Sequence, residues 1–524
     1  MGKYERLEMR SIHVRTLAVL ILLSLSVFFS PINAQTLPLD SDFRSFEYSL
    51  IERLINLHGS GDIFENTKPY SLAEIDSFLQ VIEKEEIITR SSVNRQLSGY
   101  VHSSILEYRS RLNKPCLNID LATVGNVREH SPTESFEAIT GRLFWRMNDN
   151  LTAVSSFSFD EALAEDSNFS GKVWKGLAGR IDYAYLEFGI PYLTVSFGRD
   201  KAQWGSGRRG NLLLSSNSNS MDMLKLTGCW GPLRYSTVTA VLDPYQTSID
   251  YGDSVGTARV NRYISAHRLE IKPIEMLSLG FSESVVYGGV GRQLEFYYTN
   301  PLTWYHGEQL NNNNEDNTFL SFDFSLRPKR GILLYGEFLV DDFQIEKETK
   351  GDDEPNELGY IGGFLLSDPI AGSDMDIAFE YTRINNWTYN QGHDHNRYLH
   401  NGEIIGHPLG PDRESIYISA KRWFNFGGWF SLSYERQNIG EGNVFDDWTR
   451  PWLFSVGSYS EKFPTGVVET RDIYGLSARF FGIRNINISI DGFYTDISNA
   501  GNIDGATDSF FEGRLTLSAS ARVF

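Results

Sequence analysis

The sequence predicts an all-β transmembrane barrel of about 18 antiparallel strands, preceded by a small N-terminal α-helical periplasmic module. Three observations carry this. After Pro115 apolar and polar residues alternate with period two over stretches of about 10–14 residues, which gives each strand one lipid-facing and one water-facing side. The connections between these stretches are alternately short and long, as periplasmic turns and external loops are. Beyond residue 35 no apolar run reaches the roughly 20 residues that a membrane-crossing helix needs.

Residues 1–34 read as a signal peptide. Lys3, Arg6, Arg10 and Arg15 precede an apolar run from Leu17 to Phe29, and Ile32-Asn33-Ala34 suits cleavage before Gln35. The run is too short to span a bilayer, and no Cys at the cleavage point invites lipidation. The formal net charge is −19, from 48 basic and 67 acidic residues, and removing the leader's four basic and two acidic residues takes it to −21. Such an acidic chain is a poor partner for nucleic acid, whose binding rests on Lys and Arg neutralising phosphates.

Residues 35–114 are expected to form a three-helix periplasmic module. Phe43, Phe46, Leu50, Leu54 and Leu57 recur at helical spacing between Ser41 and Leu57, and Gly59 provides a stop. Ser71-Leu-Ala-Glu74 is a capping box for a second helix, striped by Leu72, Ile75, Phe78, Leu79 and Ile82. A third runs from Ser92 to Leu112 and ends at Asn113-Lys114-Pro115. Three such helices bury little core alone and are expected to lean on the barrel.

Residues 115–524 are read as the barrel. The eighteen strands lie near 116–128, 136–147, 151–162, 180–190, 193–204, 222–230, 233–243, 258–272, 277–288, 319–327, 332–343, 358–367, 374–386, 414–424, 428–439, 467–481, 486–498 and 509–524. The last shows the alternation best: Phe511, Leu515, Leu517 and Val523 share one face, and Glu512, Arg514, Thr516 and Ser518 the other. Phe524 falls on the polar parity of that strand. An even strand number puts both barrel ends, and with them the helices, in the periplasm. So wide a channel needs either a solute or a plug. Cys116 and Cys229 lie five strands apart, beyond disulfide reach at about 4.8 Å per strand.

The loops carry motifs. Trp204-Gly-Ser-Gly-Arg-Arg-Gly210-Asn-Leu-Leu-Leu-Ser215, Asn300-Pro-Leu-Thr-Trp-Tyr-His306 with Asp316-Asn317, Gly406-His-Pro-Leu-Gly-Pro-Asp412 and Lys68-Pro-Tyr-Ser71 occur along the mature chain. Together they resemble the Wzi family of capsule assembly proteins, from the helices to Phe524. The resemblance implies an outer-membrane barrel that acts as a lectin, holding capsular polysaccharide at the cell surface, and it implies no enzyme.

The residues suit that role. Arg199, Lys201, Arg208 and Arg209 gather four positive charges near Asp200 in an acidic chain, and guanidinium groups hold sugar carboxylates bidentately. The cluster is expected at the outer end of the fifth strand, facing the capsule; a luminal salt-bridge ladder is the competing reading. Tyr297, Tyr298, Trp304, Tyr305, Trp387, Tyr389 and Trp448 offer faces for sugar rings, while Asn311 to Asn314 and Asn317 offer amides for hydroxyls. The aromatics suit an interface girdle or loop packing equally. The glycines at 205, 207 and 210 shape a turn, since no GK[ST] ending follows. His393, His395, His400 and His407 share one polar loop, which needs no metal to explain it, and no cofactor is expected. No GxSxG elbow or spaced carboxylate pair marks an enzyme. The alternative is a gated carbohydrate-selective porin. Expected partners are surface polysaccharide and the outer-membrane bilayer, with the chain a monomer.

Overall fold

The computed structural model describes residues 35–39, 46–84, 91–108, 113–129, 131–166, 169, 171–250, 255–312, 314–344 and 353–524. The signal peptide, the expected start of the first helix and Asn313 lie outside these.

Eighteen strands close into one antiparallel barrel. They are β1 Cys116–Arg128, β2 Glu134–Arg146, β3 Leu151–Asp160, β4 Leu177–Ile190, β5 Leu193–Asp200 and β6 Met221–Trp230. Next come β7 Leu233–Asp250, β8 Val255–Ile274, β9 Leu277–Gly289, β10 Asn317–Lys329, β11 Ile332–Asp342 and β12 Glu357–Ser367. The last six are β13 Met375–Ile384, β14 Arg413–Phe424, β15 Gly428–Ile439, β16 Glu469–Phe480, β17 Ile486–Ser498 and β18 Thr507–Arg522. β1 pairs with β18 to close the wall.

The period-two pattern sorts the side chains as membrane physics demands. Leu121, Ile139, Phe197, Phe322, Ile418, Leu432, Leu476 and Leu515 stand exposed on the outer wall, while Asp120, Arg142, Glu187, Arg268, Asp323, Glu380 and Glu435 are buried inside. Among the described residues no helix is long and apolar enough to cross a membrane.

Several boundaries differ from expectation. β7 and β8 extend well beyond the predicted 243 and 258. Asp243-Pro244 falls at a register shift between Leu242 and Tyr245, where a bulge absorbs the proline and pairing resumes. β5 stops at Asp200, and Gln203–Trp204 leave the wall to pair with Thr67–Lys68 between the first two helices. β18 ends at Arg522, so the parity of its ladder does not fix the side of Phe524.

Three helices, α1 Phe46–His58, α2 Leu72–Ile82 and α3 Ser92–Tyr108, sit in the short-turn mouth of the lumen. Leu50, Leu54, Ile75, Leu79, Leu97 and Val101 form one core with Phe144, Val154, Tyr183, Tyr185 and Trp423 of the wall. Ser71 caps α2 through the Ala73 N–H rather than that of Glu74, whose carboxylate pairs with Arg234 of β7. Arg53 is buried against Asp368 at 2.9 Å and Asp376, and Trp423 Nε1 donates to Asp376 at 2.6 Å. Asn66 donates to Asp323 at 2.9 Å, Thr67 donates to Glu270 at 2.5 Å, and Arg327 pairs with Glu65. Charges on both surfaces make this mouth a lock of buried, paired groups.

Candidate functional site

Two connections from the long-loop end fold inward and meet this plug. In the first, after β5, Trp204 donates its N–H to Leu214 O at 2.9 Å, and Gly205 donates to Asn66 O at 2.9 Å. Leu212, Leu213 and Leu214 are buried beside it. Glu337 of β11 holds the turn, accepting from Gly207 N at 2.5 Å, Asn211 Nδ2 at 2.6 Å and Leu212 N at 2.8 Å. Gly205 has φ of 128°, and a Cβ there would stand 2.2 Å from Glu337 Oε1. Gly205 is thus needed for close approach to a wall carboxylate.

Glu380 of β13 accepts the backbone N–H groups of Arg208 and Arg209 at 2.8 and 3.1 Å, so the two side chains part in opposite directions. Arg208 goes down to the plug and meets Glu52 of α1 at 2.7 Å. Burial alone would raise the Glu52 carboxyl, but the Lys68 and Arg208 charges outweigh it and hold it at about 2. Arg209 stays above. It donates to Glu435 of β15 at 2.8 Å and lies 4.5 Å over the Tyr417 ring of β14.

The second inward connection, between β13 and β14, lays Gly406–Asp412 against the first. Tyr389 donates its hydroxyl to Leu212 O at 2.6 Å, and Leu409 N donates to His407 Nδ1 at 3.1 Å. Burial first, then the Arg209 charge, push the His407 imidazole down to about 3, so it is neutral. Between this loop and β13–β16 lies a cavity of about 530 Å³ lined by Arg209, Arg413, Arg471, Glu435, Glu469 and Tyr417. Arg413 donates to Leu409 O at 2.7 Å while its Nε is buried without a partner. Arginine forks, acceptor carboxylates and an aromatic face in one luminal cavity form a set that binds sugars.

The structure divides the residues that the sequence grouped. Only Arg209 lines this cavity. Arg208 is a plug contact rather than a group at the expected capsule-facing end, because the wall carboxylates Glu337 and Glu380 hold its loop inside the lumen. Arg199 forms a bidentate pair with Asp222 at 2.9 Å on the outward parity of β5 and β6, and Lys201 donates to Ser216 O at 3.0 Å. Both line a separate cavity of about 740 Å³.

Tyr297, Trp304 and Tyr305 also stand outside the arginine cavity. Inward Ser282, Ser284 and Val286 of β9 alternate with Glu283, Val285 and Tyr287 on its outer side. These outer residues are nonetheless buried. The reason is that the loop after β9 folds down over the outer wall. Glu283 accepts from Tyr305 N at 3.1 Å and His306 N at 2.8 Å, while Tyr298 and Tyr305 cluster with Tyr263, Val285 and Tyr287. Trp304 is 64% exposed there, with Phe296 and Leu302, away from the lumen. Asn317 is luminal but donates to Asn396 O at 3.1 Å, fixing the second inward loop.

Arg413 and Arg471 escaped the sequence reading because each is a lone basic residue among acidic neighbours, on a water-facing parity. Their position at the long-loop end of inward faces was the available signal. The four histidines do not converge, and among the described residues no group of three or more His, Cys, Asp or Glu could hold a metal ion. Neither cysteine is in a disulfide.

No curated protein matches the chain by sequence. Among solved structures it is similar to Wzi of Escherichia coli, an outer membrane protein involved in group 1 capsule assembly and a carbohydrate-binding β-barrel. The identity is 14%, over 91% of this chain and 98% of that one, with a TM-score of 0.61. Pseudomonas aeruginosa OprD and OpdK, the latter solved with vanillate, are 10% and 9% identical over 79% of this chain and 97% and 100% of theirs, with TM-scores of 0.45 for both. The family model described as capsule assembly protein Wzi matches residues 88–509, from just before α3 into β18, leaving α1, α2 and the Lys68–Ser71 motif outside the match. The chain belongs to the capsule assembly protein Wzi family.

Proposed function

We propose that this protein is an outer-membrane lectin that holds acidic surface polysaccharide at the cell surface and so helps assemble or retain a capsule. The observation that carries the reading is the luminal cavity of Arg209, Arg413, Arg471 and Tyr417 at the long-loop end, above a lumen filled by helices and inward loops. In an outer-membrane barrel that end faces outward and the short turns face the periplasm, where residues 35–114 form the plug module. Uronate carboxylates meet the guanidinium forks, ring faces meet Tyr417, and hydroxyls donate to Glu435 and Glu469. No bond is made or broken in this role, and the chain works as a monomer. A gated porin would have to move the plug against buried pairs such as Arg53 with Asp368 and Asp376.

The test compares cell-bound with shed polysaccharide in an Arg209→Ala/Arg471→Ala double variant, at matched outer-membrane protein level. Both side chains are partly exposed, so assembly should be unaffected. Retention should fall about tenfold or more, since each charge-assisted contact is worth roughly 1.5–3 kcal/mol. Equal retention would remove this cavity from the function.

A further inference from the structure

A second cavity, of about 380 Å³, lies at the long-loop ends of β10, β11 and β12, against the loop after β15. That volume is within the roughly 300–1,000 Å³ of small-molecule pockets. Its chemistry is the reverse of the arginine cavity. Asp341, Asp342, Glu354 and Glu357 all line it, and among the described residues the basic groups of the lining are Arg450 and His306. A fifth carboxylate, Asp316, is already engaged by Arg292 at 3.1 Å and by the Tyr298 hydroxyl at 2.8 Å. Glu357 is 3% exposed, and its Oε1 has no hydrogen-bond partner. A buried carboxylate oxygen left without a donor costs free energy that a cationic ligand would offset.

The rest of the lining fits a sugar. Trp448 lies on one side, backed by the buried Trp452 at 5.7 Å between ring centroids and 81° and by the buried Trp387 at 5.1 Å. Asn317 and Asn390 also line the space, their amides engaged in holding the second inward loop in place. Indole faces stack on sugar rings and also attract cations. The carboxylates surround the space rather than converge: among the described residues no three or more acidic, His or Cys groups could hold a metal ion. Burial, with repulsion from Asp342, raises the Glu354 carboxyl to about 7 despite Arg450, in keeping with a site short of positive charge.

We propose that this cavity is a second glycan subsite that takes a sugar bearing a protonated amine, so that the bound polysaccharide carries both signs of charge. The proposal rests on the polysaccharide-binding reading above and names the class of sugar that reading leaves open.

The experiment is calorimetric titration of the full-length protein in detergent with four probes: a glucosamine oligosaccharide, its fully N-acetylated counterpart, calcium chloride and an oligogalacturonate. The free amine should bind at least tenfold more tightly than the acetamide. Glu357→Gln should erase that preference and leave oligogalacturonate binding unchanged, with heat-modifiable mobility reporting assembly. Glu354→Gln, in a loop, is the second variant should Glu357→Gln fail to assemble. Equal affinity for amine and acetamide, an undiminished preference in the assembled variants, or binding of calcium without the amine would overturn the proposal. Oligogalacturonate binding without amine binding overturns this subsite alone. Loss of both sugars overturns the polysaccharide reading with it.

Discussion

The two mouths of the lumen are built from the same residue types to opposite ends. At the short-turn mouth the charges are buried and paired across the plug–wall boundary: Arg53 with Asp368 and Asp376, Arg234 with Glu74, Arg327 with Glu65. At the long-loop mouth Arg209, about half exposed, lines an open cavity together with Arg413 and Arg471. The neighbours Arg208 and Arg209 belong one to each. A charge buried in a pair secures structure, and a charge that faces an open cavity is available to a ligand.

The coarsest way to break this comparison is to remove one side of it. Deleting residues 41–112 should leave an eighteen-stranded barrel whose conductance in a planar bilayer rises by about tenfold or more, because a wall of that size encloses an aqueous channel. Unchanged conductance would mean that the inward loops close the pore alone. Next in size, Arg53→Ala leaves Asp376 buried without its cation and should cost roughly 3–5 kcal/mol in urea unfolding.

The neighbouring arginines sharpen the contrast. The Arg208–Glu52 pair is partly exposed, so Arg208→Ala should cost only about 1 kcal/mol with little loss of polysaccharide. Arg209→Ala should do the reverse, costing less than about 1 kcal/mol while weakening retention. If both variants behave alike, the division of the lumen fails. The smallest effect is on pH. Glu52 is held at about 2, below its ordinary 4.5, so its contribution is complete above pH 4.5 and is lost as pH falls through 2. Limited proteolysis of the plug should therefore show acid loosening in the wild type only below pH 4.5, and a smaller pH dependence in Arg208→Ala, where Lys68 still pairs with Glu52.

The wall was legible because lipid outside and water inside impose a two-residue period on every strand, and all eighteen strands overlap their expected ranges. The helices were legible from their stripes, with Leu50, Leu54, Ile75, Leu79, Leu97 and Val101 in the core. Loops obey no such period. Nothing local in Gly198–Ser215 says that Glu337 and Glu380, far along the chain, will draw the segment into the lumen. Tyr305 likewise reads as a ligand-stacking aromatic until Glu283, on an outer face where an acid is out of place, is seen to need covering. Arg209 was found because it stands in a basic cluster, whereas Arg413 and Arg471 stand singly.

The short ladder between Thr67–Lys68 and Gln203–Trp204 joins two segments that reach the lumen from opposite faces of the membrane. One is fixed relative to β1 through α3, the other by the height at which β5 and β6 stand in the wall. Their meeting therefore depends on the circumference between them and on the tilt of every intervening strand. A barrel closed with a strand too few, or with one pair slipped by two residues, would bring Trp204 to the wrong level and leave both edges unpaired. Strand count and register are thus gauged from the inside, by four residues that take no part in the wall itself.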